Sequence, residues 1–534
     1  MSLTNWNLLT QPLLQALPGG SVSLPGLLAS LSRDEIDSFP ALRPHQAPAL
    51  HMFLVQLAAL ALHRAGTSHI PQTELEWAQA LRGLTPDFPE DEPWCLVVND
   101  RNVPAFLQPP VPAGMTLKTE VSTPDSLDLL ITSRNHDLKR EVARRAEAQD
   151  WVLALVSLQT GEGYGGAGNH GIARMNGGSS SRSMLGLVPL ADQQRKVNIL
   201  RAGLWFCRDL EVLLATREGE WNEQAFRGYP RAGGLGLTWT TPWREGVQLG
   251  LEDLDQWFIE VCRRVRLKVE NGHISAQSGN SASPRISGKQ FKGAIGDPWA
   301  PIHVTEGKSF TLAGRSFDYS TLVEILFSGD WELPVLALPA TQEPSQATIA
   351  LVAEALSRGN SKTEGFKSRI IPIGGKISHA LTLGPKRKEL HELALKQIEE
   401  INEFDKALRD GLALAAAGGK RESLGKEHYA HTNLARSKFD RAADEIFFGH
   451  LWKRYEAQDE GKEALKAEAE RFAVELNNRA TGVFEESLPG IPCPSLYRPR
   501  AEARARRKFQ SMVRYAFPEL FPSRIIEEDN DAST

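Results

Sequence analysis

A cluster of glycines at residues 161–168 has the spacing of a loop that brings backbone close to a ligand. Gly161, Gly163 and Gly166 follow the pattern G-x-G-x-x-G, and an apolar run stands just before them. A dinucleotide-binding turn also needs a strand before the glycines, a helix opening on them and an acidic residue about 20 positions later. The residues after Gly166 have no helical period, and the next acidic residue is Asp192 in a different segment. A dinucleotide cradle is therefore not predicted.

The other motifs of common enzymes are incomplete in this sequence. Gly307 and Lys308 resemble the end of a P-loop, but Ile302 stands where that motif requires its first glycine. His136 and His170 each follow an asparagine, with no second residue at the spacing of a metal site. The sequence also lacks a nucleophile elbow and a paired-carboxylate pattern. We therefore expect that the protein is not an enzyme.

Four polar loops carry groups that bind phosphates or base edges. Glycines let main-chain N–H groups come close to a ligand, and arginine, lysine and asparagine donate hydrogen bonds to phosphate oxygens. Such residues cluster in the glycine segment (Asn169, His170, Arg174, Asn176, Arg182) and at residues 134–139, 285–292 and 358–369. One such group alone is typical of a solvated surface, whereas four together favour a nucleic-acid surface.

The totals describe a globular chain whose overall charge does not attract nucleic acid. It has 534 residues, 41% of them hydrophobic and 24% charged, with 61 basic and 66 acidic residues and a net charge of −5. This length predicts two to four domains. A nucleic-acid binder of this composition must concentrate its basic residues locally.

The cysteines and the N-terminus indicate a cytoplasmic protein. Four cysteines lie far apart without a C-x-x-C pair, which is typical of reduced thiols rather than of a zinc site. The N-terminus lacks the basic start and apolar core of a signal peptide. No run approaches the roughly 18 to 20 apolar residues of a membrane helix. We expect a soluble chain with no metal, no cofactor and no membrane contact.

The glycine segment and the polar loops need a frame, which the hydrophobic pattern predicts to be α+β. A helix is expected over residues 47–66, ending at a glycine, and another over residues 140–158, before the glycine segment. Residues 183–384 mix loops with short strand-like runs, among them residues 316–327. Residues 345–356 are expected to be helical.

From residue 385 the composition changes to that of a helical bundle. Apolar residues recur at steps of three or four among lysines and glutamates, beginning with Leu390, Ala394 and Ile398. Four such segments are separated by short breaks, which is the arrangement of a four-helix bundle. We therefore predict a large mixed α+β N-terminal domain at residues 1–384 and a C-terminal four-helix bundle at residues 385–534.

Five segments of the chain carry a family resemblance. They are, in order, "PAFLQ", "LDLLITSRNHDLK", "GYGGAGNHGIARMNGG", "KGAIGDPWAPIHVTEGKSFTL" and "RGNSKTEGF". Together they resemble the large subunit, of CasA type, of the type I-E CRISPR Cascade surveillance complex. The resemblance covers most of the chain from about Phe106 onward.

The resemblance implies a non-catalytic subunit that binds duplex DNA. Such a subunit recognises the protospacer-adjacent motif (PAM) from the minor groove and helps start strand separation and R-loop formation. It assembles with crRNA-containing Cascade subunits, and it recruits the helicase–nuclease that degrades the target. The minor groove is about 6 Å wide, and glycine lets a backbone enter it.

The resemblance also assigns residues to DNA and to partners. The family's glycine loop falls on Gly163–Gly166, its lysine finger on Lys289, and its wedge at a hairpin tip on Asn360 and Ser361. The implied DNA- and PAM-binding residues are Gly163, Tyr164, Gly165, Gly166, Asn169, Arg285, Lys289, Lys292, Asn360, Ser361 and Lys362. The implied docking loop, which contacts the crRNA 5′ handle and the neighbouring subunit, comprises Arg134, Asn135, His136 and Lys139. The cysteine cluster that some relatives carry before the "GDPW" segment is absent from this sequence, so no metal is implied.

Two other kinds of function stay open on the sequence. One is an enzyme that binds a nucleotide or a phosphorylated ligand through the Gly161–Gly168 loop. The other is a scaffold subunit that joins proteins through its bundle without contacting DNA. Bulky substitutions at Gly165 and Gly166 distinguish them, because only a DNA-binding subunit would lose target binding within an intact complex.

Overall fold

The computed structural model of the chain describes residues 6–128, 146–190, 200–218, 228–340, 348–359, 362–382 and 384–522. Internal contacts divide the chain into two compact units, Met1–Phe317 with Glu324–Thr382, and Asp318–Val323 with Leu383–Thr534. The sequence pattern placed the domain boundary after residue 384. The short segment Asp318–Val323 belongs by its contacts to the helical second unit, although it comes much earlier in the chain.

The described elements before residue 384 are a mixture of short helices and strands. The helices are α1 (Leu24–Ser32), α2 (Ala47–Ala65), α3 (Glu74–Arg82), α4 (Ala148–Gly161), α5 (Ala202–Glu218), α6 (Tyr319–Phe327) and α7 (Gly375–Thr382). The strands are β1 (Leu14–Ala16), β2 (Gly20–Val22), β3 (Thr119–Val121), β4 (Met184–Pro189), β5 (Leu235–Leu237), β6 (Leu254–Ile259), β7 (Arg264–Glu270), β8 (His273–Gly279), β9 (Ile302–His303), β10 (Lys308–Ser309), β11 (Trp331–Glu332), β12 (Thr348–Gly359) and β13 (Lys362–Gly374). Their three-stranded sheets have the orders β13-β12-β4, β3-β8-β7 and β10-β9-β11, with smaller pairs β1-β2 and β5-β6. The predicted α+β class is confirmed.

Helix α2 lies in the core of the first unit. Most of its side chains are buried, because the helix is apolar on all sides. It ends at Gly66, whose left-handed conformation (φ 67°) costs glycine no strain, so the predicted helix and its end are confirmed. By length and composition Pro44–Ala65 is the one helix of the described chain that could cross a membrane, with a mean hydropathy of 1.2. However, 89% of that apolar window is buried against protein, as in a core helix.

The central strand β12 corrects the prediction of a helix over residues 345–356. Thr348–Gly359 pairs antiparallel with β13 on one side and with β4 on the other. Alanine, leucine and glutamate favour a helix by propensity, but nearly every described residue of this stretch is buried. A strand covered on both faces has a continuous apolar run instead of an alternating one, so its period gives no strand signal.

Helix α6 corrects the prediction of a strand-like run over residues 316–327. Asp318 precedes the helix, and its Oδ1 accepts a hydrogen bond from the backbone N–H of Thr321 at 2.8 Å. An aspartate that accepts from an N–H three residues later is a helix N-cap. The β-branched and aromatic residues of the run suggested a strand, and the cap with the buried face of the helix outweighs that propensity.

The hairpin of β7 and β8 lies within residues 183–384, where the sequence predicts short strand-like runs. Its turn residues Asn271 (φ 52°) and Gly272 (φ 78°) both have positive φ. Two such residues form the type I′ turn that matches the twist of paired strands, and Asn-Gly is the sequence that favours it. This hairpin ends at residue 279, just before the basic loop at residues 285–292.

The second unit contains four long helices and a short one. They are α8 (Gly384–Ala416), α9 (Lys426–Ala430), α10 (Asn433–Ala457), α11 (Lys462–Ser487) and α12 (Arg498–Ala516). Phe484 and Phe509 stack at 4.7 Å between α11 and α12. A Cβ atom on Gly411 of α8 would lie 2.8 Å from the Phe484 ring, so glycine permits this close packing. The predicted helical C-terminal region is confirmed.

Candidate nucleic-acid interface

The glycine loop, residues 162–178, begins where α4 ends. Helix α4 is buried along its whole length and runs to Gly161, after which the backbone of Glu162 becomes extended. The element before the glycines is thus a helix, as predicted, although it begins at Ala148 and the predicted residues up to 145 lie outside the described chain. A dinucleotide turn requires a strand at this place, which confirms that this loop does not have that architecture.

The exposed tip of the glycine loop is a small backbone hairpin. The N–H of Gly165 donates to the carbonyl of Asn169, and the N–H of Asn169 donates to the carbonyl of Gly166, both at 2.9 Å. Gly166 (φ 113°) and Gly168 (φ 76°) supply the positive φ angles of the turn. The N–H groups of Gly166, Ala167 and Gly168 make no hydrogen bond with any described residue. The tip therefore offers main-chain donors with little side chain in front of them.

The glycines of the loop fall into two groups. A Cβ atom on Gly163 would lie 2.5 Å from the carbonyl oxygens of both Gly178 and Ser180, so Gly163 is required for internal packing. A Cβ atom on Gly166 would meet nothing within 4 Å, although its φ disfavours other residues. Gly163 is buried, while Tyr164 is 47% exposed and Gly165 is also exposed. The exposed parts of the described loop are thus its tip and Gly177–Gly178.

A buried ion cluster holds the glycine loop in shape. The guanidinium of Arg263 donates to the carbonyls of Gly163 (2.8 Å) and His170 and lies 3.2 Å from a carboxylate oxygen of Glu162. Both oxygens of Glu260 accept from the N–H of Ala173, at 2.8 and 3.0 Å. Burial raises the pKa of Glu260 to about 7, against the opposing effect of that N–H and of neighbouring arginines. The charged groups of this cluster thus stabilise the conformation of the loop backbone.

Sequence reasoning missed Glu162, Glu260 and Arg263. Their signal is weak, because Glu260 and Arg263 lie next to the short apolar runs at residues 257–259 and 261–262, in a region that also contains other charged residues. Charged residues in such a region are buried only when they are paired. The pattern therefore indicates a buried ion cluster, although it does not say which loop that cluster supports.

Three arginines that the sequence grouped with phosphate-binding residues are buried. Arg182 forms a bidentate ion pair with Asp297, and Arg174 lies 4.2 Å from the ring centre of Phe258. Arg285 donates to the carbonyl of Thr241 at 3.1 Å and to its hydroxyl at 2.7 Å, and burial lowers the pKa of Arg285 to about 10. These guanidinium groups stabilise the scaffold, and the surface does not present Arg285 to DNA.

The basic turn, residues 288–293, packs directly against the glycine loop. A Cβ atom on Gly288 would lie 3.0 Å from the Cβ of Ala173, and one on Gly293 would lie 2.7 Å from the backbone of Met175. Lys289 and Lys292 are both exposed, and neither forms an ion pair with a described carboxylate. The turn thus places two free ammonium groups beside the loop.

The β12–β13 hairpin is attached to the end of the glycine loop through the serine run, residues 179–181. The N–H of Ser181 donates to the carbonyl of Leu356 at 3.0 Å, and the Ser181 hydroxyl accepts from the N–H of Leu356 at 2.8 Å. Residues 358–369 were predicted as a loop, but the described residues 358–359 and 362–369 belong to the strands, and Gly359 pairs with Lys362 at the end of the ladder. The predicted wedge residues Asn360 and Ser361 lie outside the described residues, as does the Lys362 side chain.

The predicted docking-loop residues Arg134, Asn135, His136 and Lys139 also lie outside the described chain. The residue before that segment, Asp128, is buried, and its Oδ1 lies 2.5 Å from His45 Nε2. Gln46 donates to the other Asp128 oxygen at 2.8 Å. Asp128, the last described residue before that segment, is thus held in place by two side chains of the first unit.

In the described residues, no three histidine, cysteine, aspartate or glutamate side chains come together as a metal-binding group. Cys95 and Cys262 are buried cysteines, and burial raises the pKa of the Cys262 thiol to about 12. A thiol with such a high pKa stays protonated at neutral pH and is a poor nucleophile. These thiols are structural residues of the core.

The overall fold of the chain, with its mixed N-terminal unit and helical C-terminal unit, is similar to that of known structures. The chain has the fold of the CasA (Cse1) CRISPR-associated proteins. It is similar to Thermus thermophilus CasA (Cse1), with a TM-score of 0.60 and 16% identity over 96% of this chain and 99% of that one. Cse1 of Acidimicrobium ferrooxidans gives a TM-score of 0.61 and 13% identity over 98% and 100%, and Thermobifida fusca Cse1 gives 0.57 and 14% over 96% and 98%. No protein-family model and no curated protein matches the chain.

Proposed function

We propose that the chain is the non-catalytic large subunit of a crRNA-guided type I-E Cascade complex. In this role it binds duplex DNA, recognises the PAM from the minor groove, helps start strand separation and R-loop formation, and recruits the helicase–nuclease. The CasA-type fold over nearly the whole chain supports this proposal. The role implies a cytoplasmic location and assembly with the crRNA-containing subunits.

The observation that carries the proposal is the adjacency of three elements in the first unit. The exposed glycine tip belongs to residues 162–181, and the basic turn and the described end of the β12–β13 hairpin both contact that segment. A tip without bulky side chains suits a groove about 6 Å wide. Lysines beside it neutralise phosphates, which supplies affinity without base preference. Within the DNA site we therefore assign Tyr164–Gly166, Asn169, Lys289 and Lys292.

The hairpin supports the proposed part in strand separation. Gly359 and Lys362 are the last paired residues of the ladder, and Asn360 and Ser361 stand between them in the sequence. A side chain inserted between base steps costs a few kcal/mol of unstacking. Pairing of the guide RNA with the opened strand offsets that cost. We assign the wedge to Asn360, with Ser361 beside it.

We assign Arg134, Asn135, His136 and Lys139 to the crRNA 5′ handle and the neighbouring subunit. Three donors with formal or possible positive charge in one short segment suit an RNA backbone. The buried anchor at Asp128 supports this assignment, because it gives the segment a fixed origin on the first unit.

The proposal is tested by the affinity of a reconstituted crRNA-guided complex for duplex targets, with and without this chain. Targets carry either the correct or a scrambled PAM, and the salt concentration is varied because phosphate contacts give affinity a steep salt dependence. We expect the chain to add affinity for the correct PAM, and variants of Gly165, Gly166 and Asn360 to lose that gain.

Equal affinity with and without the chain would contradict the proposal and leave a scaffold role. Binding of a nucleotide by the isolated chain, lost in the same glycine variants, would instead favour an enzyme or a small-molecule site. Lys118→Gln serves as a matched control, because Lys118 is exposed on the same unit and outside the three elements.

A further inference from the structure

One buried carboxylate connects the glycine loop to the β12–β13 hairpin. Glu162 Oε1 accepts a hydrogen bond from Arg358 Nη1 at 2.8 Å, and Glu162 Oε2 lies 3.2 Å from Arg263 Nη2. The side chains of Glu162 and Arg358 are only 8% and 13% exposed. Charge pairs with so little exposure are weakly screened and directional, unlike pairs at the surface.

On the loop side, the carboxylate reaches both legs of the glycine hairpin through Arg263. That guanidinium donates to the carbonyls of Gly163, on the incoming leg, and His170, on the outgoing leg. The Glu162 carbonyl also accepts from the N–H of Ile172 at 3.0 Å. The shape of the tip therefore depends on where the Glu162–Arg263 pair lies.

On the hairpin side, Arg358 is two residues before Asn360 in the sequence, at a bulge in the ladder. Ser357 pairs with Gly365 and Arg358 with Thr363, so Glu364 is the extra residue of β13. Bulges change the direction of a side chain and often occur next to functional sites. The backbone of Arg358 is tied to the serine run as well, its carbonyl accepting from Ser179 Oγ at 3.4 Å.

We infer that Glu162 and Arg358 are positioning residues that couple the glycine tip to the hairpin end, so that the two elements keep one mutual geometry on DNA. This inference rests on the proposed function for its role in target opening. The coupling itself is a property of the chain alone and is measured without DNA. Neither residue touches DNA in this assignment; each acts through the backbone that it holds.

Arg358→Gln is the informative variant. It removes the link to the hairpin, while Glu162 keeps its pair with Arg263, so that no carboxylate is left buried without a partner. Arg358→Lys retains a positive charge at the same place and should restore part of the coupling. Lys367→Gln is the matched control. It removes a positive charge from the same hairpin, and that charge forms no ion pair with a described residue.

The first readout is amide hydrogen exchange in the full-length chain. In Arg358→Gln, the Gly165 and Asn169 amides should exchange about fivefold faster at an unchanged melting temperature, since a local opening becomes easier. Arg358→Lys should exchange at an intermediate rate and Lys367→Gln at the wild-type rate. Unchanged loop exchange in Arg358→Gln overturns the inference. If Arg358→Gln unfolds, the double variant Glu162→Gln/Arg358→Lys is measured instead, because it also lacks the ion pair. Wild-type exchange of the loop amides in this folded double variant overturns the inference equally.

The second readout is strand opening next to the PAM in the reconstituted complex, followed by 2-aminopurine fluorescence. We expect Arg358→Gln to slow opening about fivefold, Arg358→Lys to slow it less and Lys367→Gln to leave it unchanged. Opening at the wild-type rate in Arg358→Gln overturns the coupling role in target opening. A wild-type complex without PAM-dependent affinity would contradict the proposed function, whereas the exchange result would still decide the coupling.

Discussion

Arg182 and Asp297 form a buried bidentate ion pair, with Nε–Oδ2 at 2.6 Å and Nη2–Oδ1 at 2.7 Å. The pair joins the end of the glycine segment to the "GDPW" segment, more than a hundred residues later in the chain. Burial alone would raise the pKa of Asp297, but the charge and hydrogen bonds of Arg182 hold that pKa below its ordinary value. The Asp297 carboxylate is therefore stabilised in its ionised form.

Removing one partner of this pair should destabilise the first unit strongly. Asp297→Ala leaves the Arg182 guanidinium buried without its anion, and we expect a loss of about 3 to 5 kcal/mol in the free energy of unfolding. Urea unfolding followed by circular dichroism measures the loss. Glu35→Gln, which breaks an exposed pair with Arg33, should change little. Similar effects of the two variants would contradict the buried role of the Arg182–Asp297 pair.

Glu260 should make the stability of the first unit depend on pH. Its pKa is raised to about 7 in the folded chain, so the folded state binds a proton that the unfolded state has already lost above its ordinary pKa. The stabilisation is complete below the ordinary pKa and disappears as the pH rises through about 7. Glu260→Gln stays neutral and still accepts from Ala173. Raising the pH from 5 to 7.5 should therefore lower the melting temperature of the wild type relative to that of Glu260→Gln. A constant difference between the two melting temperatures would contradict this prediction.

Side chains at Gly163 and Gly166 should cost similar stability for different reasons, and they should differ in their effect on duplex affinity. Gly163→Ala brings a methyl group against two backbone carbonyls, which cannot move cheaply, so we expect a loss of about 1 to 3 kcal/mol in stability. Gly166→Val has free space, and its positive φ costs about 1 to 3 kcal/mol at most. Under the proposed function, Gly166→Val loses duplex affinity well beyond its loss of stability. Melting temperatures and target affinities, measured on the same preparations, test this contrast.

Lys289 and Lys292 should contribute to affinity through phosphate charge. Replacing both by glutamine should reduce the slope of log affinity against log salt by about 1 to 2 units, roughly uniformly across target sequences. Lys118→Gln should leave the slope unchanged. An unchanged slope in the double variant, or a change confined to one PAM sequence, would contradict a phosphate-contacting role for the basic turn.

The parts of the fold that the sequence predicted are those governed by local rules. The glycine at residue 66 ends α2, and the period of three to four residues identifies the helices after residue 384. In each of these places, neighbouring residues alone decide the conformation. The prediction over residues 345–356 failed because the conformation of β12 depends on partner strands far away in the sequence. The prediction over residues 316–327 failed because it overlooked the local N-cap at Asp318.

The sequence singled out the loops of the candidate site but not the groups that support them. Glycine spacing and lysines are visible in a sequence, and the structure places the glycine loop, the basic turn and the hairpin end together. Whether an arginine is exposed depends on which carbonyls and carboxylates surround it. Arg182 and Arg285 read like surface charges, yet each has partners from segments that no spacing rule connects to it.

The tip of the glycine loop presents peptide N–H groups, and every amino acid except proline supplies the same group. What must persist during evolution is a pair of backbone angles, which leaves glycine as its main trace in the sequence. Chains that differ from one another at most positions can therefore present the same backbone N–H groups without sharing any side chain at these positions. The CasA structures are 13 to 17% identical to this chain, and backbone angles are a feature that can be compared with them where the side chains differ.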